Sequence, residues 1–221
     1  MEDAMTKGLS LRERKKLRTR QTLIDTSLEL FGERGFGGVT LDELCDAVDV
    51  SKRTFFRYFA SKEDVAMAPT QDLWLAFLED LETREPQGGT VLGMLEESLL
   101  ASVDRMAAVD GWAHRARLSR QLADQTPSMD AHGLHFCHRT TRTAQDILHR
   151  RLNLGTPDDL RPRLALDMLV SAFHHALDCW MSPARSASPN VPAGDALAGH
   201  VRNACAALPG SLTMTVRLRA D

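Results

Sequence analysis

The chain has 221 residues, 43% of them hydrophobic and 26% charged, with a formal net charge of −3. That length can bury a core as one larger domain or two small ones, and no apolar run approaches the roughly 18 residues of a membrane helix, so no membrane partner is expected. Cys45, Cys137, Cys179 and Cys205 are scattered without CxxC spacing, which argues against a disulfide framework and predicts reduced, mostly buried thiols in a cytoplasmic protein.

The net charge conceals a gradient. Lys7, Arg12, Arg14, Lys15, Lys16, Arg18 and Arg20 crowd the N-terminus against Glu13 alone, whereas the segment beyond Lys62 is net acidic. One basic end on a near-neutral chain points to a local polyanion contact, although a basic helix is as readily a solvated face. Insertion of Arg12 or Arg14 into a minor groove is the sharper alternative. Residues 1 to about 10 show neither periodicity nor an apolar leader, and read as a mobile arm without a secretory signal.

From Arg12 onward, Leu23, Ile24, Leu28, Leu30 and Phe31 recur at helical spacing as far as Gly35, a helix-stop residue. Thr40 followed by Glu43 is a capping-box pair that opens a helix to about Val48. Ser51 caps a helix over Lys52–Phe59, and Ser61 opens a fourth, with Glu63 and Asp64 in its first turn. Pro69 predicts a kink or break there, after which Leu73, Phe77, Leu78 and Leu81 resume the stripe until Pro86. Later helices are predicted from Thr90 to about 108, over 112–124, from Pro127 to Asn153, from Pro157 to Met181, and over about 194–208. Ser182–Gly194, with three prolines, reads as a mobile connection. No segment alternates like a strand. The expectation is an all-α protein of about nine helices. Residues 1–61 form an arm and a three-helix helix-turn-helix DNA-binding domain, and residues 62–221 a helical ligand-binding and dimerisation domain.

The third predicted helix carries the chemistry. On a wheel of 100° per residue Phe55 and Phe59 share one side, while Arg53 and Arg57 share another. The phenylalanines can anchor the helix, leaving the arginines to meet guanine O6 and N7 or phosphate. Thr54 and Tyr58 lie between the two faces, where hydroxyls reach phosphates. Lys62 and Thr40 stand at helix starts, where free N–H groups favour an anion.

Residues 12 to 65 resemble the TetR family of bacterial transcriptional regulators: a helix ending LFGERGF, then VTLDEL, then VSKRTFFRYFASKED. The T-F-x-x-Y-F-x-S-K-E run after a helix-turn-helix is highly specific. The resemblance implies that Lys52, Arg53 and Arg57 read bases and that Thr40, Thr54, Tyr58 and Lys62 touch phosphates, with Ser51 grouped beside them as a cap at the same surface. It also implies a homodimer whose all-helical second domain binds a small molecule and moves the reading heads. Two positions depart from the pattern. Asp49 stands where the turn usually has glycine, and aspartate tolerates left-handed geometry. Phe56 replaces a frequent tyrosine, exchanging a phosphate hydrogen bond for an apolar contact with a thymine methyl.

In the second domain Trp74, Phe77, Met94, Met106, Trp112 and Phe136 are candidate lining for an adaptable apolar cavity, with simple core packing as the bland alternative. Ser98, Ser102, His114, His135 and Arg139 are polar candidates for orienting a ligand. A near-continuous apolar surface on the helix ending at Met181, with Leu164, Met168, Ala172, His175 and Cys179, suits an isologous dimer contact. Leu197, Val201, Ala204 and Leu208 of the last helix would complete it. His132, His135, Cys137 and His138 invite a metal reading, but no recognised zinc spacing is present, and neither a metal nor a cofactor is expected.

The expected function is a ligand-responsive regulator, a repressor that binds a near-palindromic operator and is released by an apolar or amphipathic molecule, acyl-CoA-like or drug-like. The alternative is a ligand-independent architectural or cell-cycle DNA-binding protein on the same scaffold. No nucleophile elbow, phosphate loop or metal-base motif supports an enzyme.

Overall fold

The computed structural model describes residues 10–156, 158–182 and 192–215. The predicted N-terminal arm (residues 1–9), Pro157 as a helix start, and most of the predicted connection (183–191) lie outside the described residues. Among those described there are nine α-helices and no strand. They form two compact units, one of residues up to Leu75 with Ala108–Arg139, the other of Ala76–Ala107 with residues from Thr140 on.

The first unit starts on a capping box within SLRE. The Glu13 N–H donates to Ser10 Oγ (3.2 Å), and the Ser10 N–H donates to Glu13 Oε2 (2.8 Å). Helix α1 (Leu11–Arg34) therefore begins within a residue of the expected start. It buries Leu23, Ile24, Ser27, Leu28 and Phe31, and ends at Gly35 with φ 74°. A 3-10 turn, Phe36–Gly38, leads to α2 (Leu41–Ala47), capped by the expected Thr40–Glu43 box. Asp49 adopts φ 54°, left-handed as the turn requires and the sole non-glycine with positive φ among the described residues.

Helix α3 covers only Lys52–Phe55, shorter than the predicted Lys52–Phe59. Beyond it the chain tightens into three-residue steps, Arg57 N–H to Thr54 O (3.2 Å) and Tyr58 N–H to Phe55 O (2.8 Å). Phe55 and Phe59 still enter one core, their rings 5.9 Å apart, with Leu28, Phe31, Val39, Leu44 and Val65. Helix α4 (Lys62–Thr83) runs unbroken through Pro69, so the predicted break does not occur. The Pro69 carbonyl instead accepts the Trp112 indole N–H at 2.9 Å. Helix α6 (Trp112–Asp124) and the start of α7 (Pro127–Arg151) complete the unit. Met129 is fully buried in its core, with Leu118 and Leu122 packed against it.

In the second unit, α9 (Ala193–Ser211) packs on α8 (Arg161–Met181) and α5 (Val91–Ala107), and α5 also packs on α8. Leu95, Leu99, Leu169, Phe173, Ala176, Trp180 and Val201 are at most 2% exposed, and form the centre of this layer. The Trp180 indole donates to the Ala193 carbonyl at 2.9 Å, tying the end of α8 to the start of α9. No helix among the described residues is long and apolar enough to cross a membrane.

Candidate nucleic-acid interface

The reading segment is built by opposition of anchor and probe. Phe55 and Phe59 are buried, while Lys52, Arg53, Phe56 and Arg57 are exposed on the same short stretch. Phe56, 54% exposed, stands edge-on to the Phe55 ring at 5.6 Å, presenting an apolar face outward. The Arg57 guanidinium lies over the Tyr58 ring at 5.2 Å, and Tyr58 itself is half-buried. A planar cation held on an aromatic face keeps its N–H fork available to a base edge or a phosphate. Lys52 is different: its ammonium pairs with Asp42 on α2 at 2.7 Å, and must exchange that partner to reach DNA.

Three of the hydroxyls expected at phosphates, those of Thr40, Ser51 and Thr54, have local partners. Thr40 Oγ donates to Glu43 Oε2 (2.7 Å) and accepts from the Glu43 N–H (3.2 Å). Ser51 Oγ accepts from the Thr54 N–H (3.1 Å) and lies 3.1 Å from Thr54 Oγ. These bonds hold the starts of α2 and α3 in shape. Glu43 also takes a hydrogen bond from Arg34, and with the Thr40 bonds this holds its carboxyl at about 2.

Lys62 has a role the sequence did not suggest. Its half-buried ammonium donates to the carbonyls of Phe36 (3.0 Å) and Val39 and lies 4.7 Å from the Phe36 ring centre. It thus clamps the 3-10 turn that leads into Thr40. Two of its three N–H donors are committed, leaving one for a phosphate. A bidentate pair between Arg20 and Asp72, both contacts 2.8 Å, was likewise invisible in sequence because the partners are 52 residues apart.

The ligand-pocket candidates do not come together in one unit. Trp74, Trp112, His114, His135, Phe136 and Arg139 belong to the first unit, and Phe77, Met94, Ser98, Ser102 and Met106 to the second. Trp74, Phe77, Met94 and Trp112 are buried; Met106 and Phe136 are half-buried; His114, His135 and Arg139 are exposed. The buried serines are already partnered. Ser98 Oγ accepts from Arg84 Nε (3.0 Å), and Ser102 Oγ donates to the Ser98 carbonyl (2.7 Å). His132, part of the metal reading, lies 3.1 Å from Gln71 Nε2 and 3.6 Å from Asp64, and no cluster of three or more ligating side chains occurs among the described residues.

The dimer candidates divide by position rather than exposure, since Ala172 and Cys179 are themselves buried. Leu197 (1%) and Val201 (0%) are spent on the protomer's own core and have no surface to offer a partner. Ala172, His175, Cys179, Ala204 and Leu208 instead line a groove of roughly 500 Å³ between α8 and α9, together with His200, whose buried Nε2 has no hydrogen-bond partner. Leu164, on the first turn of α8, is 55% exposed, and Met168 is half-buried.

Two capped helices, a left-handed turn and an anchored basic segment define a helix-turn-helix DNA-binding head. The family description "Bacterial regulatory proteins, tetR family" matches residues 23–68. Over 161 residues the chain is 37% identical to the HTH-type transcriptional regulator TcmR of Streptomyces glaucescens, covering 71% of this chain and 70% of that protein. It is 28% identical over 195 residues to the HTH-type transcriptional repressor NemR of Escherichia coli strain K12, covering 75% of this chain and 96% of that protein. The chain belongs to the TetR family of bacterial regulators, and is a DNA-binding transcriptional regulator rather than an enzyme.

Proposed function

We propose that the protein works as a homodimeric repressor that reads a near-palindromic operator and is released by an apolar or amphipathic small molecule. The observation that carries this reading is the exposure of Arg53 and Arg57 on a segment whose Phe55 and Phe59 are locked in the core. Arg53, Arg57 and, after leaving Asp42, Lys52 read base edges. Ser51, Thr54, Tyr58, Thr40 and the remaining donor of Lys62 hold phosphates beside them. One short segment contacts too few bases for useful specificity, so two copies about 34–36 Å apart, or at a related spacing, are required.

The α8–α9 groove supports the homodimer, because an open groove whose alanines and leucine are flanked by His175, His200, Asn203 and two serines offers both apolar and polar groups to a self-complementary contact. Repression is favoured by likeness to a relative that is itself a repressor. Effector release follows from linkage: a ligand that prefers one head spacing by about 1–3 kcal/mol changes operator affinity roughly 5- to 150-fold. The role of the reading arginines is tested by Arg57→Ala. Base preference should relax at one position per half-site, costing about 1–3 kcal/mol there. An unaltered preferred sequence, measured by selection from random duplexes, would remove Arg57 from the reading set.

A further inference from the structure

His175 and Cys179 stand one turn apart on α8, and the His175 Nε2 lies 3.6 Å from the Cys179 Sγ. Within one chain this contact is a weak hydrogen bond, since a thiol is a poor donor and a poor acceptor. The distance has a second meaning. A tetrahedral zinc ion holds nitrogen at about 2.0–2.1 Å and sulfur at about 2.3 Å, which sets two such ligands about 3.5–3.6 Å apart. The pair already has the separation of two ligands on one ion, and a regular helix fixes both ends of it.

The surroundings suit a cation. Both side chains line the α8–α9 groove, whose lining includes no lysine or arginine. A divalent ion entering there meets no fixed like charge, and mixed sulfur and nitrogen donors favour zinc over the harder magnesium or calcium. His200 lines the groove too, but its Nε2 is buried, which leaves His175 as the exposed imidazole. Two ligands do not make a zinc site, and no group of three ligating side chains occurs among the described residues of one chain. The site is therefore half-built. An isologous contact completes it, because a two-fold axis beside the pair brings the same pair from a second copy opposite. Two histidines with two cysteines are a closed tetrahedral set. The small side chains of Ala172 and Ala204 in the same groove leave space for that approach.

Resting on the homodimer read above, we propose that His175 and Cys179 form half of a zinc site that a second copy of this chain completes. Each thiol gives its proton to water as the thiolate binds, and each neutral imidazole gives its Nε2 lone pair. The dimer offers four ligands where the monomer offers two, so it holds the ion more tightly. By linkage the ion then holds the dimer. Pairing of the reading heads thereby depends on a thiophilic divalent ion, separately from any small-molecule effector.

The test uses the full chain, stripped of metal and kept reduced, with Co2+ as a spectroscopic stand-in for zinc. The visible bands of tetrahedral cobalt and a near-ultraviolet thiolate-to-cobalt band should appear and saturate at one ion per two chains. Cys179→Ser should lose the thiolate band, and His175→Gln the tetrahedral bands, at the concentration that saturates the wild type. His175 is exposed, so His175→Gln serves if Cys179→Ser, at a buried position, misfolds by circular dichroism. With free Zn2+ at about 100 times its Kd, the dimer dissociation constant from sedimentation should fall about 100-fold, and stay fixed in both variants. A thiolate band that survives in Cys179→Ser belongs to Cys45, Cys137 or Cys205 and overturns the proposal, as does saturation at one ion per chain. A metal-free dimer that binds no cobalt overturns the site and leaves the homodimer standing. A chain that stays monomeric at every concentration, with and without Zn2+, overturns the homodimer and this site with it.

Discussion

Lys62 shows how one side chain serves the fold before it serves a ligand. Its ammonium bridges the carbonyls of Phe36 and Val39 and sits against the rings of Phe31 and Phe36, so it closes the end of α1 onto the start of α4. Removing it leaves two partly buried carbonyls without a donor. Lys62→Ala should therefore cost about 1–3 kcal/mol of stability, read as a lower urea midpoint. Its salt slope for DNA should fall by no more than about 0.9, the share of one phosphate. An unshifted midpoint would refute the clamp. Thr40, Thr54 and Ser51 follow the same pattern, since each holds a helix start through its hydroxyl. Arg53 and Arg57 are the opposite case, exposed and without a carboxylate partner among the described residues, and therefore available.

At the scale of elements, the sequence was readable where the signal is local. The Thr40–Glu43 and Ser51 caps and the Phe55–Phe59 anchor are short-range patterns, and each is found where spacing placed it. Asp49 takes the left-handed geometry expected of it. The Ser10–Glu13 box in SLRE is an equally local pattern, but it stands next to residues 1 to about 10, whose lack of periodicity masks it. Pro69 does not break its helix, because a proline removes one hydrogen bond but does not end a helix whose neighbours Ala66, Ala68 and Leu73 are all buried. Contacts between distant residues, such as Lys62 with Phe36 or Arg84 with Ser98, had no sequence signal. For the same reason the polar ligand candidates could not be told from satisfied core serines.

The packing of α9 on α5 gives a sharper test at this scale. A Cβ on Gly194 would lie 2.2 Å from the Cβ of Ala107, an atom fixed to its own backbone. Gly194→Ala must force the helices apart, at about 1–3 kcal/mol, which outweighs the gain of up to about 1 kcal/mol in helix propensity. Gly199, on the same helix, has open space around its missing Cβ. Gly199→Ala should therefore raise the thermal midpoint while Gly194→Ala lowers it. Equal shifts would show that the close approach is not limiting.

For the whole molecule, two compact units divide the labour. The first contains the anchored DNA-reading segment, and the second a layer of α5, α8 and α9 with an open groove on α8 and α9. That groove suits a second copy, and a second copy suits an operator with two related halves. Paired heads whose spacing a small molecule controls would bind DNA in a way that can be measured. The measurement that tests it most directly is selection of bound fragments from random and genomic DNA, repeated with a panel of acyl-CoA and drug-like ligands. A homodimeric, ligand-responsive reader should select a single near-palindrome, with half-sites about one helical turn apart or at a related spacing, released by one ligand class. Many dispersed sites without two-fold symmetry, held equally with every ligand, would contradict it and favour an architectural protein built on the same scaffold.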